Sequence, residues 1–357
     1  MRTRRGFIAS VLATAGLPAL TWADVGGPSY LAAARGGDGA FVLCGLTPTG
    51  QETFRIALPD RAHAGAPHPN YPEAVVFARR PGTFALVIDC VSGRVAQELM
   101  APQGQHFTGH GVFAQDGETL FTGEINNATG AGSIGVWARA EGYRRVGQFA
   151  SGGIGPHEIL RLPEQDVLVV ANGGIIAALD DKRTKLNIDE MRPNLTYVSA
   201  TGEIIDQMTL PSELHKSSIR HLAVNGRGQV AFAMQWEGEA GASPSLVGLH
   251  QSGQAARLLD VPTAVSYQMA GYVGSIACAK DDGGIMVSCP KGNLLVLFST
   301  TGDFITAVQR PDVCGLAAAN GRFIATDGFG GISSVTDQGI RPLREGRLAW
   351  DNHLIAI

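Results

Sequence analysis

The stretch His110-Gly-Val-Phe-Ala-Gln-Asp-Gly-Glu-Thr-Leu-Phe-Thr-Gly123 contains the pattern on which the fold of this chain depends. Two short runs rich in apolar residues flank the pair Asp116-Gly117, and such a pair favours a tight reversal of the chain. The stretch therefore predicts a β-hairpin. Two similar stretches follow it, at His157–Val170 and at His221–Ala233.

The same hairpin pattern recurs along the whole chain. Weaker copies begin at Glu73, Ser275 and Gly315, while His353–Ile357 ends the chain without a second strand. Near the other end, Tyr30–Arg35 is a strand that lacks a first strand, so the two termini together complete a seventh unit. Seven units give about 48 residues each, which lies within the range of four-stranded propeller repeats.

These repeats predict an all-β fold, a seven-bladed β-propeller of the WD40 or YVTN type. Its ring is closed by strands from the N- and C-termini, which removes the exposed sheet edges that would otherwise aggregate. A ring of six or eight blades is the alternative. The polar segment Asp180–Arg192 falls in the longest interval between units and is expected to be a solvated loop that projects from a blade.

The N-terminus has the order of an export signal. Arg4 and Arg5 precede an apolar stretch, and small residues then lead to Ala23. Adjacent arginines favour the twin-arginine route, with an ordinary secretory signal as the alternative. We expect residues 1–23 to be the signal peptide and residues 24–357 to form a single propeller domain in the periplasm.

Composition excludes several classes of protein. The 28 basic residues against 32 acidic ones give a net charge of -4, which makes nucleic acid an unexpected partner. After the signal, no apolar run reaches the ~18 residues of a membrane-spanning helix. The five cysteines form no C-x-x-C pair and are expected to be mostly small buried apolar residues.

Histidines recur at one register position of the repeats. In a propeller the innermost strand of each blade lines the central channel, so the first residues of the units should meet at its mouth. Neutral imidazoles with a carboxylate suit a transition metal, with iron, copper, zinc and nickel as the candidates. The first positions of the units are Glu73, His110, His157, His221, Ser275, Gly315 and His353.

We therefore predict a metal site formed by Glu73 and the four histidines. Glu158 and Arg220 stand beside two of these histidines and are predicted to orient or balance the bound group. His63, His215 and His250 lie outside the register and are not expected in the site. The alternative is that the histidines bond only to water or backbone in a solvated channel.

Several segments resemble a known family. They include QHFTGHGVF (105–113), SSIRHLAVNGRGQVAF (217–232) and WDNHL (350–354), and they resemble the exported proteins named domain of unknown function 1513. The resemblance implies a periplasmic propeller of bacteria. It also implies imelysin-type iron-regulated proteins and dihaem-peroxidase-like proteins as possible partners, in clusters for iron acquisition.

Three classes of function remain open at this point. The favoured one is a periplasmic binding protein for iron acquisition, with a metal or small-ligand site at the channel mouth. The second is a metal-dependent enzyme that uses the same histidine, glutamate and arginine side chains. The third is an interaction scaffold without a metal. The sequence contains no G-x-S-x-G, H-E-x-x-H, phosphate-binding or dinucleotide-binding motif.

Overall fold

The computed structural model of the protein describes residues 19–79, 84–178, 184–279, 283–319 and 321–357. Within these residues, seven four-stranded antiparallel sheets form a ring. The predicted seven-bladed β-propeller is therefore confirmed. Residues 1–18 of the predicted signal and residues 179–183, at the start of the predicted polar loop, lie outside the described part of the chain.

Strands account for most of the described structure. In chain order, the first are β1 (Tyr30–Arg35), β2 (Phe41–Leu46), β3 (Glu52–Leu58), β4 (Ala62–Pro67), β5 (Glu73–Ala78), β6 (Phe84–Asp89), β7 (Arg94–Met100), β8 (Gln105–Phe113), β9 (Thr119–Asn126), β10 (Ala131–Ala138), β11 (Arg144–Ile154), β12 (Pro156–Arg161), β13 (Val167–Asn172), β14 (Asn194–Ser199) and β15 (Ile204–Thr209). The others are β16 (Ser217–Val224), β17 (Val230–Trp236), β18 (Val247–His250), β19 (Arg257–Leu258), β20 (Ser275–Cys278), β21 (Ile285–Cys289), β22 (Leu294–Phe298), β23 (Phe304–Gln309), β24 (Val313–Ala319), β25 (Arg322–Asp327), β26 (Gly331–Thr336), β27 (Gly339–Glu345) and β28 (Ala349–Ala356).

Helices are short and lie between the strands. One α-helix, α1, spans Thr263–Gln268. No helix within the described ranges is long and apolar enough to cross a membrane. The 3₁₀ helices are Trp22–Val25, Arg139–Glu141, Ile188–Glu190, Ser212–Leu214 and Pro290–Gly292.

Each blade is a sheet of four neighbouring strands. Blade 1 has the order β28-β1-β2-β3, so it combines the last strand of the chain with the first three. Blades 2 to 7 follow as β4–β7, β8–β11, β12–β15, β16–β19, β20–β23 and β24–β27. The first strand of each sheet contacts its counterparts in both neighbouring blades, and these seven inner strands surround the channel.

The ring closes where the two ends of the chain pair. β1 runs antiparallel to β28, with Tyr30 opposite Ala356 and Arg35 opposite Ala349. The predicted pairing of Tyr30–Arg35 with the C-terminal strand is therefore confirmed. This strand is longer than the sequence pattern indicated, because it begins at Ala349 and not at His353.

Apolar side chains fill the spaces between adjacent blades. Between blades 2 and 3, for example, the ring of Phe107 lies 6.0 Å from that of Phe77 and 6.1 Å from that of Trp137. Similar apolar clusters lie at the other blade interfaces. All five cysteines are buried and unpaired, as expected for small apolar residues. Each sheet is therefore stabilised mainly by burial against its neighbours.

One of the seven predicted unit starts is wrong. Glu73 begins β5, the second strand of blade 2, and the inner strand of that blade is β4. The sequence of β4 is Ala-His-Ala-Gly-Ala-Pro, which lacks the β-branched and aromatic residues that favour strands. Its small residues and proline are more typical of a loop than of a strand. The sequence pattern therefore predicts that the blade begins at β5, one strand later in the chain than it does.

Removal of residues 353–357 tests ring closure. Leu354 is buried in the interface between blades 7 and 1, and Leu31 and Ala32 of β1 would lose their partners on β28. We expect the truncated protein to lose its cooperative thermal transition or to become insoluble. Removal of Ile357 alone is the control, since this residue lies outside β28. A five-residue truncation that melts like the full-length protein would contradict closure by the termini.

Candidate metal centre

β-Bulges interrupt the inner strands at one level of the channel. In six of the seven blades, the inner strand has extra residues that have no partner on the neighbouring strand. Among the described residues, only β20 pairs with its neighbour without interruption. A bulge bends the strand and redirects the side chains of the residues that it leaves unpaired. The bulges lie at Ala62–Gly65, Phe107–Gly111, Pro156–Ile159, Ile219–His221, Val313–Leu316 and Trp350–Leu354.

Five of these bulges each contain or end at a histidine, and the five imidazole rings meet in the channel. Around the cluster, each ring centroid lies between 4.7 and 5.2 Å from the next. The cluster joins residues that are as much as 290 positions apart in the sequence, which only the closed ring brings together. Its members, in order around the ring, are His63, His110, His157, His221 and His353.

The structure thus brings together the four predicted histidines and adds His63, which lies outside the register predicted from the sequence. His63 lies on β4, the strand that the hairpin pattern missed. A signal for it was present in the spacing, because His63 precedes His110 by 47 residues and His110 precedes His157 by the same number.

Glu73 does not belong to this cluster. Its carboxylate accepts a hydrogen bond from Arg139 Nε at 2.9 Å and another from the hydroxyl of Tyr143. The prediction that Glu73 stands with the histidines at the channel mouth is wrong, because the residue begins the second strand of its blade and not the inner one.

The imidazole nitrogens form two groups that could each hold a metal ion. In the trio His63, His110 and His353, and in the trio His110, His157 and His221, one nitrogen of each ring lies within 4.8 Å of the others. His110 belongs to both trios. Three imidazoles with further positions open are a common ligand set for zinc, copper and iron.

Four of the rings have a buried nitrogen without a hydrogen-bond partner among the described residues. Buried polar atoms are nearly always hydrogen-bonded, and leaving one unsatisfied costs about 1–3 kcal/mol. A bound metal ion satisfies such an atom through its lone pair. The four atoms are His63 Nδ1, His110 Nε2, His157 Nδ1 and His353 Nε2.

Burial lowers the pKa of every histidine in the cluster, and the neighbouring imidazoles contribute to the effect for most of them. The pKa of His221 falls to about 3 and that of His353 to about 4. The rings are therefore neutral at pH 7, which is the form that ligates metals.

Glu158 lies at the edge of the cluster, against His221. Its Oε2 lies 3.2 Å from Nδ1 of His221 and accepts a hydrogen bond of 3.1 Å from the backbone N–H of Leu222. Burial raises the pKa of this carboxyl group to about 7. The contact fixes the orientation of the His221 ring and leaves its Nε2 as the atom available to a metal.

Gly109 allows the His63 ring to approach the bulge of β8. Its φ is +99°, a left-handed conformation that favours glycine. A Cβ atom at this position would lie 2.6 Å from Cδ2 of His63, closer than any real contact. The glycine in the segment Thr-Gly-His of β8 is thus part of the architecture of the cluster.

A cavity of about 380 Å³ adjoins the cluster. His110, His353 and Glu158 line one end of it, and the remainder is mostly apolar, with Ile159 and Leu316 among its walls. The cavity follows the inner strands away from the bulges and provides space for a small molecule beside the histidines.

Comparison with known proteins gives the family of the chain. The family described as "Protein of unknown function (DUF1513)" matches residues 56–357, a range that includes all five histidines of the cluster. The chain belongs to the DUF1513 family. This confirms the resemblance inferred from the sequence segments. No curated protein matches the sequence.

Solved structures similar to this DUF1513 protein share its fold. Hydrazine synthase of Kuenenia stuttgartiensis is similar with a TM-score of 0.59 and 13% identity, over 96% of this chain and 100% of that one. A chain of the mitotic checkpoint complex is similar with a TM-score of 0.53 and 14% identity, over 78% of each chain. At these identities the likeness concerns the propeller fold alone.

The histidine pKa values predict how the stability of the metal-free protein depends on pH. Below pH 6.5 the unfolded chain binds protons that the buried rings cannot take up, so the free energy of unfolding should fall as the pH drops. Each histidine that stays neutral contributes up to about 1.4 kcal/mol per pH unit. Urea unfolding of chelator-treated protein at pH 7, 6 and 5 measures this slope.

The double variant His63→Gln, His353→Gln is the matched comparison, because it removes two of these buried imidazoles from one trio. Its unfolding free energy should change less steeply with pH than that of the parent. Equal slopes for the two proteins would show that the rings of the parent are not held neutral in the folded state.

Proposed function

We propose that this DUF1513 protein is a periplasmic β-propeller that binds a transition metal, iron or copper, at the five-histidine cluster and serves iron acquisition. The observation that carries the proposal is the convergence of five neutral imidazoles from five blades, four of them with a buried nitrogen that has no partner among the described residues. Such an arrangement is costly for a channel that holds no ligand.

The ligand type narrows the choice of metal. Neutral imidazole suits Fe²⁺, Cu²⁺, Zn²⁺ and Ni²⁺, and it is a poor ligand set for Mg²⁺ or Ca²⁺, which take oxygen ligands. Affinity alone would favour Cu²⁺. The preference for an iron-related role comes from the family resemblance, which links such proteins with iron acquisition, and imelysin-type and dihaem-peroxidase-like proteins are the proposed partners.

The periplasmic location is proposed from the N-terminal sequence. Arg4 and Arg5, the apolar stretch behind them and the small residues up to Ala23 are the features of a twin-arginine signal. The twin-arginine route carries folded proteins. On this proposal the propeller closes before export. The cluster can therefore bind its metal on either side of the membrane.

A metal-dependent enzyme is the second candidate, and one specific observation favours it. The cavity of about 380 Å³ reaches His110 and His353, so a small substrate would have direct access to a metal held by either trio. Turnover by the metal-loaded protein that disappears in the His110→Gln variant would favour the enzyme over the binding protein.

Single substitutions of the five histidines test the metal site. Replacing His110 with Gln should lower the affinity for Cu²⁺ or Fe²⁺ at least about tenfold, because this residue belongs to both trios. Gln variants of the other four histidines identify the trio that holds the ion, because only its members should lose affinity to the same extent. Folding should change little, since Gln keeps a polar side chain of similar length. Titration calorimetry gives the affinity, and metal analysis of protein purified from the periplasm identifies the natural ion.

Two control variants come from residues outside the cluster. His215 lies half-buried in the loop between β15 and β16, and Glu73 pairs with Arg139 in blades 2 and 3. Glu73→Gln and His215→Gln should bind metal as the parent does. If the five cluster variants also bind like the parent, or if the parent binds no metal, the channel is a solvated surface and the scaffold alternative is favoured.

A further inference from the structure

Arg220 places a positive charge directly beside the histidine cluster. It lies in the bulge of β16, immediately before His221, and its Nε is buried without a hydrogen-bond partner among the described residues. It is near enough to His110 and His157, as well as to His221, to contribute to the lowering of their pKa values. Burial lowers the pKa of Arg220 itself, but a guanidinium stays charged in proteins.

The described carboxylates near Arg220 have other partners. Glu237 pairs with Lys185, and Glu158 is held by His221 and the backbone of Leu222. Within the described ranges, no carboxylate forms an ion pair with Arg220. The charge of Arg220 is therefore not neutralised by a direct contact.

A second arginine, Arg79, contributes to the lowering of the pKa values of His63 and His353. Arg79 Nη1 is 3.4 Å from Asp351, and the same carboxylate receives Arg61 Nε at 2.5 Å. The single carboxylate of Asp351 thus pairs with both guanidinium groups. The phenol of Tyr272 lies close enough to both Arg79 and Arg220 for their charges to lower its pKa against the effect of burial. Arg79 and Arg220 thus both place positive charge within electrostatic range of the cluster.

The net charge around a bound metal ion decides whether the cluster must also bind an anion. Neutral imidazoles contribute no charge to offset a bound M²⁺ ion, and Arg220 adds another positive charge beside it. A group of like charges buried without compensation is strongly unfavourable. Glu158, 3.2 Å from His221, offers one negative charge against the three positive charges of M²⁺ and Arg220. A metal at this cluster therefore needs a further anion, and Arg220 is the donor that would hold it.

We propose that a small planar oxyanion, carbonate or a carboxylate, binds together with the metal, with two of its oxygens towards the Arg220 guanidinium and one towards the metal. The inference rests on the proposed metal site and defines the form in which that site takes its ion. A planar guanidinium matches the paired oxygens of such an anion, which a chloride ion cannot provide. The anion supplies the negative charge that the five histidines lack.

Titration with Cu²⁺ in chloride buffer, with and without millimolar bicarbonate, tests this proposal. A competing chelator of known affinity sets the free copper concentration. Bicarbonate should raise the affinity of the parent protein for Cu²⁺ at least tenfold. Arg220→Gln should lose this dependence, whereas Arg220→Lys keeps the charge without the paired donors and should retain part of it. Circular dichroism confirms that each variant is folded.

Arg322→Gln is the matched control. Arg322 also has a buried Nε without a partner among the described residues, but it begins β25, the second strand of blade 7, and does not line the cavity at the histidines. This variant should respond to bicarbonate as the parent does. Acetate at the same concentration separates the two sources of anion, because an effect of bicarbonate alone assigns the site to carbonate and an equal effect of acetate assigns it to carboxylates.

Two results would overturn the inference in distinguishable ways. Copper uptake by the parent that is the same in both buffers, and unchanged in Arg220→Gln, removes the anion and leaves the metal site standing. Absence of copper uptake in either buffer removes the metal site and the anion together.

Discussion

The pairing of β28 with β1 is the interaction on which the rest of the molecule depends. It joins the ends of the chain in one sheet, and it therefore holds seven inner strands around a common axis. Because these strands converge, side chains at one level of different blades must meet. His63 and His353 lie 290 positions apart in the sequence, and their ring centroids are 4.7 Å apart in the fold. The cluster exists only in the closed ring.

The bulges turn this convergence into a cluster of histidines. A regular ladder alternates its side chains between the two faces of a sheet, and both faces of a propeller blade pack against neighbouring blades. An interrupted ladder frees a few residues of the inner strand from that alternation, and in five blades a histidine is among them or directly follows them. Burying imidazoles with unsatisfied nitrogens costs stability, which the large apolar interfaces between blades can tolerate. Binding a metal would recover that cost.

The sequence alone predicts the fold and four of the five histidines of the cluster. Regular apolar runs and aspartate–glycine turns identified the repeat, and the unmatched strand Tyr30–Arg35 indicated closure. His110, His157, His221 and His353 were found because each precedes an apolar run. His63 and Glu73 were misplaced because β4 consists of small residues and a proline, so its strand character comes from pairing with β5 and not from local propensity. The bulges depend on the register between two strands, which no single strand encodes.

X-ray absorption spectroscopy of the copper-loaded protein tests most directly whether imidazole nitrogens of several blades bind one transition metal. We expect a first shell with at least three nitrogen atoms at about 2.0 Å, a distance typical of histidine ligation, together with the outer-shell scattering of imidazole rings. One further oxygen is expected if an anion is bound. A first shell of oxygen atoms alone, without imidazole scattering, would contradict such binding.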